Sequence, residues 1–88
     1  MNELNINGEK IGYWEEYHSN GKLNAKGNYL NGKKDGPWEY YHLNGELNCK
    51  GSYINGREEG EWEFYNTSSQ FEFNKQFIDG LPILTINH

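Results

Sequence analysis

Apolar and aromatic residues come in short alternating runs, of which Leu23-Ala25-Gly27-Tyr29 and Leu47-Cys49-Gly51-Tyr53 are the clearest, and turn dipeptides bound the runs. Alternation with period two is the signature of a strand with one covered face. Asn20-Gly21 and Asn44-Gly45 are hairpin signals, read here as two-residue type I′ turns, which need positive φ at both central residues. Asn7-Gly8, Asn31-Gly32, Asn55-Gly56 and Asp79-Gly80 form an alternate set. No stretch between them has the length or 3.6-residue pattern of a helix. Strands are predicted over residues 2–6, 12–18, 22–30, 34–42, 46–54, 58–66, 70–78 and 81–86. The fold class is therefore all-β: a single antiparallel meander of stacked β-hairpins with about eight strands.

The pattern repeats every 24 residues without a gap. Trp14, Trp38 and Trp62 form one column, Tyr17, Tyr41 and Tyr65 a second, and Gly12, Gly36 and Gly60 a third. Leu23, Leu47 and Phe71 follow, then Tyr29, Tyr53 and Phe77. One repeat domain over 1–88 is expected, with units 7–30, 31–54 and 55–78 and terminal strands 2–6 and 81–86 as caps. The third unit departs from the first two. Ser68-Ser69 replaces the Asn-Gly turn, and Lys75 replaces the strand glycine and would sit against Trp62.

Turn positions imply registers. A two-residue turn at Asn20-Gly21 sets Trp14 opposite Gly27; one at Asn31-Gly32 sets Trp38 beside Ala25; one at Asn44-Gly45 sets Trp38 beside Gly51. One face then carries the tryptophans with Tyr40, Phe64, Leu23, Leu47, Phe71, Ala25, Cys49, Phe73, Tyr29, Tyr53 and Phe77. The other carries Glu15, Glu39, Glu63, Asn24, Asn48, Lys26, Lys50 and the column Tyr17, Tyr41, Tyr65. Trp14, Trp38, Trp62, Tyr29 and Tyr53 are the structural residues, and Gly27, Gly51 and Ala25 leave room for indoles to lie across a neighbouring strand. A one-layer sheet must hide such an aromatic face, by curling, by a covering tail or in a face-to-face homodimer.

Charge narrows the partners. In the 88 residues, eight Lys and Arg stand against thirteen Asp and Glu, a formal charge of -5. This argues against nucleic acid and anionic membranes, which need a positive patch, and permits a basic protein. Cys49 is the sole cysteine, so no internal disulfide forms. The start of the chain is polar, with neither a secretory signal nor a membrane span, and a cytoplasmic location is the expectation.

"GYWEEYHSNGKLNAKGNYLNGKKDGPWEYYHLNGELNCKGSYINGREEGEWEFY" resembles the bacterial variant of the MORN repeat, with its Gly-x-Trp-x-x-Tyr strand, Asn-Gly-x-Leu turn, Gly-x-Tyr and Asn-Gly-Lys. The matching residues are Gly12, Trp14, Tyr17, Asn20, Gly21, Leu23, Gly27 and Tyr29; then Gly36, Trp38, Tyr41, Asn44, Gly45, Leu47, Gly51 and Tyr53; then Gly60, Trp62 and Tyr65. The resemblance implies a meandering sheet that acts as a contact surface, with no shared catalytic residue. Many bacterial proteins of this kind look like antitoxin or immunity components.

Reactive groups do not converge in this pattern. His18 and His42 lie two strands apart, too far to share a zinc ion, and Cys49 lies outside their column. Glu15, Glu39 and Glu63 line a polar face without a cleft, and Cys49 reads as a small buried hydrophobe. No enzyme activity, metal or cofactor is expected. Tyr17, Tyr41 and Tyr65, with Glu39 and Glu63 beside them, are the candidate protein-binding residues, because an amphipathic aromatic strip suits an interface. The expected function is a noncatalytic protein-binding module, such as an inhibitor of a basic toxin. The alternatives are a self-associating scaffold or homodimer, and carbohydrate binding on exposed aromatics.

Overall fold

A computed structural model describes residues 2–83 of the chain. They form one eight-stranded sheet in sequence order: β1 (Glu3–Leu4), β2 (Lys10–Tyr17), β3 (Leu23–Leu30), β4 (Lys33–Tyr41), β5 (Leu47–Ile54), β6 (Arg57–Tyr65), β7 (Phe71–Ile78) and β8 (Leu81–Pro82). Every pairing is antiparallel. The all-β meander expected from the pattern is thus the fold. The first strand is shorter than expected, with two residues, and two residues of the last are described. Pro82 lies on the outer strand, where its missing N–H costs no ladder bond, and the end of the expected last strand, 84–86, lies outside the described residues.

The turns are of two kinds, one of which departs from the expectation. Asn31-Gly32 has φ of 49° and 84°, and Asn55-Gly56 and Asp79-Gly80 likewise have both residues positive, the mark of a type I′ turn. In Asn20-Gly21 and Asn44-Gly45 only the glycine is positive. Gly21 N–H donates to His18 O and His18 N–H to Lys22 O, so the loop has three residues: a type I turn followed by a left-handed glycine. Asn7-Gly8 closes in the same way, with Gly8 N–H donating to Asn5 O. Ser68-Ser69 keeps this loop too, Ser69 taking the glycine's place at φ 61°.

The three-residue loops carry a one-residue bulge that changes which way several side chains face. Glu16 pairs Ala25 but Tyr17 pairs Leu23, leaving Asn24 extra on β3; Tyr40 pairs Cys49 but Tyr41 pairs Leu47, leaving Asn48 extra on β5; Tyr65 pairs Phe71 in the same manner. An extra residue shifts everything beyond it to the other face. Leu23, Leu47 and Phe71 therefore stand on the tyrosine face, not with the tryptophans, and Phe71 meets the Tyr65 ring edge-on at 5.8 Å. Asn48, the extra residue of the bulge, borders Cys49, Trp62 and Phe64 as well as Tyr41 and His42. Strict alternation misplaced Leu23, Leu47 and Phe71 because it allowed for no bulge.

A second irregularity sets the tryptophan register. From the type I′ turn, Asn28 pairs Asp35 as expected, but Gly27 then pairs Trp38, with Gly36 and Pro37 extra on β4. Trp38 is consequently opposite Gly27, while Ala25 faces Tyr40; the expected Trp38–Ala25 pairing is wrong by two residues and right about the face. Trp14–Gly27, Trp38–Gly51 and Trp62–Lys75 pair as anticipated. Gly36 needs its positive φ of 76° to make the kink. The Trp38 indole N–H donates to Asn28 O at 2.9 Å, beside the break in pairing, and Trp62 does the same to Ser52 O at 3.2 Å.

The Trp38 and Trp62 indoles each lie over the glycine of the preceding strand. A Cβ built on Gly27 would fall 2.3 Å from the Trp38 ring, and one on Gly51 2.1 Å from that of Trp62. Lys75 makes no conflict, because the Trp62 indole lies over Gly51 of β5 and not over its partner on β7. Among the described residues Ala25, Trp38 and Trp62 are the buried hydrophobic ones, as befits a single layer measuring 52 × 30 × 15 Å. Trp14, on the outer side of β2, is half-buried, with its N–H on Glu3 O and Ile11 O.

Candidate functional site

The polar face is organised by a ladder of alternating charge. Glu15 pairs Lys26, Lys26 pairs Glu39, Glu39 pairs Lys50 and Lys50 pairs Glu63, one residue per strand from β2 to β6. Lys26 Nζ lies 3.3 Å from Glu39 and Lys50 Nζ 3.6 Å from Glu63. Such partly exposed pairs contribute little stability each. They hold the carboxylates for the tyrosines. Tyr17 donates to Glu15 at 2.7 Å, Tyr41 to Glu39 at 2.9 Å and Tyr65 to Glu63 at 3.1 Å. Tyr13 adds a bond to Glu15 at 3.0 Å. The hydroxyls of Tyr17 and Tyr13 hold the Glu15 carboxyl below its ordinary range, by stabilising the charged form.

The bulges complete this face in a way that sequence alternation missed. Tyr17, Leu23, Tyr41, Leu47, Tyr65 and Phe71 form a row with one residue on each of six consecutive strands, about 24 Å long at the usual strand spacing. Tyr17 and Phe71 are exposed, at 58% and 53%, and the middle of the row is half-buried. Beside the row, a trough of about 500 Å³ is lined by Tyr13, Lys26, Pro37, Glu39, Lys50 and Glu63. All five candidate binding residues, Tyr17, Tyr41, Tyr65, Glu39 and Glu63, thus share one surface with three apolar side chains between them.

The opposite face is a chain of rings. Tyr29 meets Trp38 edge-on at 5.1 Å and Tyr53 meets Trp62 at 5.0 Å, while Phe64 stacks on Phe73 at 4.9 Å. Three lysines lie on the rings, Lys75 over Phe64 and Phe73 and two others over the indoles. Lys10 Nζ is 4.9 Å from the Trp14 centroid, and Lys34 Nζ is 4.8 Å from that of Trp38. Lys34 donates to the Tyr40 hydroxyl at 2.6 Å, and the Tyr40 and Tyr53 hydroxyls share a hydrogen bond at 2.7 Å. Burial first, and this bond second, push the Tyr40 phenol far above its ordinary value. Burial and the nearby Glu16 carboxylate push Tyr29 up to about 12.

The candidate reactive groups have structural partners. His18 Nε2–H donates to Tyr41 O at 2.9 Å and His42 Nε2–H to Tyr65 O at 3.0 Å, each joining one hairpin to the next. Asn20 and Asn44 do the same through Leu43 O and Thr67 O. Their spacing of 23 residues, one short of the repeat, is the trace these staples leave in the sequence. Burial raises the Cys49 thiol, which works against a thiolate nucleophile. Among the described residues no group of three His, Cys, Asp or Glu side chains is placed to hold a metal.

The model of the MORN repeat variant matches twice, at residues 10–31 and 34–55, half of the chain. The chain belongs to the MORN repeat variant family. No curated protein and no solved structure matches. Both matched segments run from the start of a tryptophan strand through the following strand and into its type I′ turn. MORN repeats are commonly modules that bind proteins or membranes and are generally noncatalytic.

Proposed function

We propose that this MORN-repeat chain is a noncatalytic protein-binding module that engages its partner through the tyrosine face. The observation that carries the reading is the six-strand row of Tyr17, Leu23, Tyr41, Leu47, Tyr65 and Phe71 beside the charged ladder. Amphipathic rings with few rotatable bonds lose little entropy on contact, and the interleaved leucines supply the apolar centre that an interface needs. Tyrosine hydroxyls already held by Glu15, Glu39 and Glu63 are ordered before binding. The partner is a basic protein, since a net charge of -5 steers association with positive surfaces. An inhibitor of a basic toxin, acting in the cytoplasm, is the case of such binding that this charge balance favours.

Affinity capture with the wild-type chain beside a Tyr17→Ala/Tyr41→Ala/Tyr65→Ala variant tests the face, with circular dichroism confirming that the variant keeps its sheet. A partner held by the wild type and lost by the variant supports the proposal. A partner held equally by both rules the face out. Co-expression of the captured partner with and without this chain tests inhibition, which unchanged toxicity excludes.

A second reading rests on the outer strands. All of β7 except Phe77 is exposed, including Phe71 and Phe73. Exposed rings near the end of a sheet favour self-association. Solution mass over a range of concentrations decides it, because a strictly monomeric chain removes the scaffold and homodimer alternatives.

A further inference from the structure

The three units build the same ring arrangement three times and fill it differently. In the first, Trp14 and Tyr29 meet edge-on with centroids 5.9 Å apart at 76°; in the second, Trp38 and Tyr53 at 6.2 Å and 87°; in the third, Trp62 and Phe77 at 6.2 Å and 73°. The first two hold a cation from this chain. Lys10 Nζ sits 4.9 Å from Trp14 and 5.0 Å from Tyr29, and lies 3.4 Å from the Glu16 carboxylate. Lys34 Nζ sits 4.8 Å from Trp38, 5.0 Å from Tyr40 and 5.4 Å from Tyr53.

One repeat later the lysine is replaced by Glu58. The rings remain, and among them is a cavity of about 280 Å³ lined by Tyr53, Glu58, Trp62, Phe64, Phe77 and Cys49. Aromatic faces carry negative potential and attract cations, so a carboxylate cannot take the lysine's place on them. Rings and carboxylate instead call for the same missing charge. Glu58 makes no ion pair among the described residues. The other lysine on this side, Lys75, lies against the stacked Phe64 and Phe73, at 5.9 and 5.8 Å.

We propose that this cavity receives the side-chain ammonium of a lysine from a partner protein, in the position that Lys10 and Lys34 occupy in the first two units. The chain's own lysines define the occupant: a slim stem crossing the indole, with its ammonium among the rings. The carboxylate differs in origin but not in effect, since Glu16 supplies the anion in the first unit and Glu58 in the third. The contact lies on the face opposite the tyrosine row and does not depend on it.

The test is a titration of the ¹⁵N-labelled protein with Nα-acetyl-lysine N-methylamide, following the three indole N–H signals and the amides of Tyr53, Glu58 and Phe77. The expected result is a saturable shift of the Trp62 and Glu58 signals in the millimolar range, with Trp14 unmoved. Glu58→Gln weakens binding about tenfold, the size of one charged contact. Glu58→Lys abolishes it by supplying the cation internally; that variant retains its fold, because the column already carries lysine twice, and its signal dispersion verifies this. Tyr41→Ala leaves the affinity unchanged, which separates this site from the tyrosine row. An equal response to the neutral norleucine analogue, undiminished binding in Glu58→Lys, or no shift at Trp62 overturns the proposal. An equal response to tetramethylammonium overturns the assignment to lysine.

Discussion

Gly27 has no side chain because the Trp38 indole occupies the space where one would go, 2.3 Å from the nearest ring atom. An alanine there must push the ring off β3, and the ring's N–H then leaves Asn28 O. Gly27→Ala is expected to cost about 1–3 kcal/mol, as overpacking does elsewhere. Trp38→Ala is expected to cost about 3–5 kcal/mol, a large share of a small domain's stability. Urea unfolding followed by circular dichroism measures both, and a Gly27→Ala midpoint equal to wild type would refute the overlap. Ser69 is the converse case. It holds φ 61° where the other three loops of this kind have Gly8, Gly21 and Gly45, so Ser69→Gly relieves left-handed strain and is expected to add about 1 kcal/mol. A loss of stability in that variant counts against the shared loop.

At the scale of the hairpin, the repeat made strand order, strand number and the charge ladder legible, and loop length was the part it concealed. Asn-Gly serves both loop types: its glycine is the second positive-φ residue of Asn31-Gly32 and the left-handed third residue of the Ser19-Asn20-Gly21 loop. The dipeptide alone does not separate them. One residue of difference then moved Leu23, Leu47 and Phe71 to the tyrosine face. The candidate tyrosines and glutamates could be found as columns; their apolar neighbours could not. The histidine staples were hidden for another reason, since a ring bonded to a backbone carbonyl requires no particular residue opposite. They make a prediction of their own. His18→Ala removes the bond to Tyr41 O that ties the second hairpin to the first, and is expected to cost about 1 kcal/mol. Hydrogen exchange should quicken at the Gly21 and Lys22 turn amides, and exchange unchanged there removes the staple.

At the scale of the whole molecule, the described residues form one sheet with Ala25, Trp38 and Trp62 as its buried hydrophobics and no second layer among them, and half-buried tyrosines do much of a core's work. That choice makes the fold sensitive to alkali. Burial raises Tyr29 from 10.0 to about 12, and raises Tyr40 and Tyr53 as well. The folded sheet favours the neutral phenols, whereas the unfolded chain ionises them near the ordinary value of 10.0. Below that value the stabilisation is fully present; as pH rises through it the unfolded state sheds protons that the folded state keeps, and stability falls until the folded phenols ionise too. The urea midpoint is therefore expected to be insensitive to tyrosine ionisation at neutral pH and to decline between about pH 10 and 12. Tyrosinate absorbance should rise in two stages, with exposed Tyr17 ahead of the ring face. Tyr40→Phe, which places at position 40 the residue that position 64 already has, should flatten the decline. A midpoint that stays level through that window, with every tyrosine titrating together near its ordinary value, would mean that the ring face is open to water and that the tyrosines do not hold the sheet.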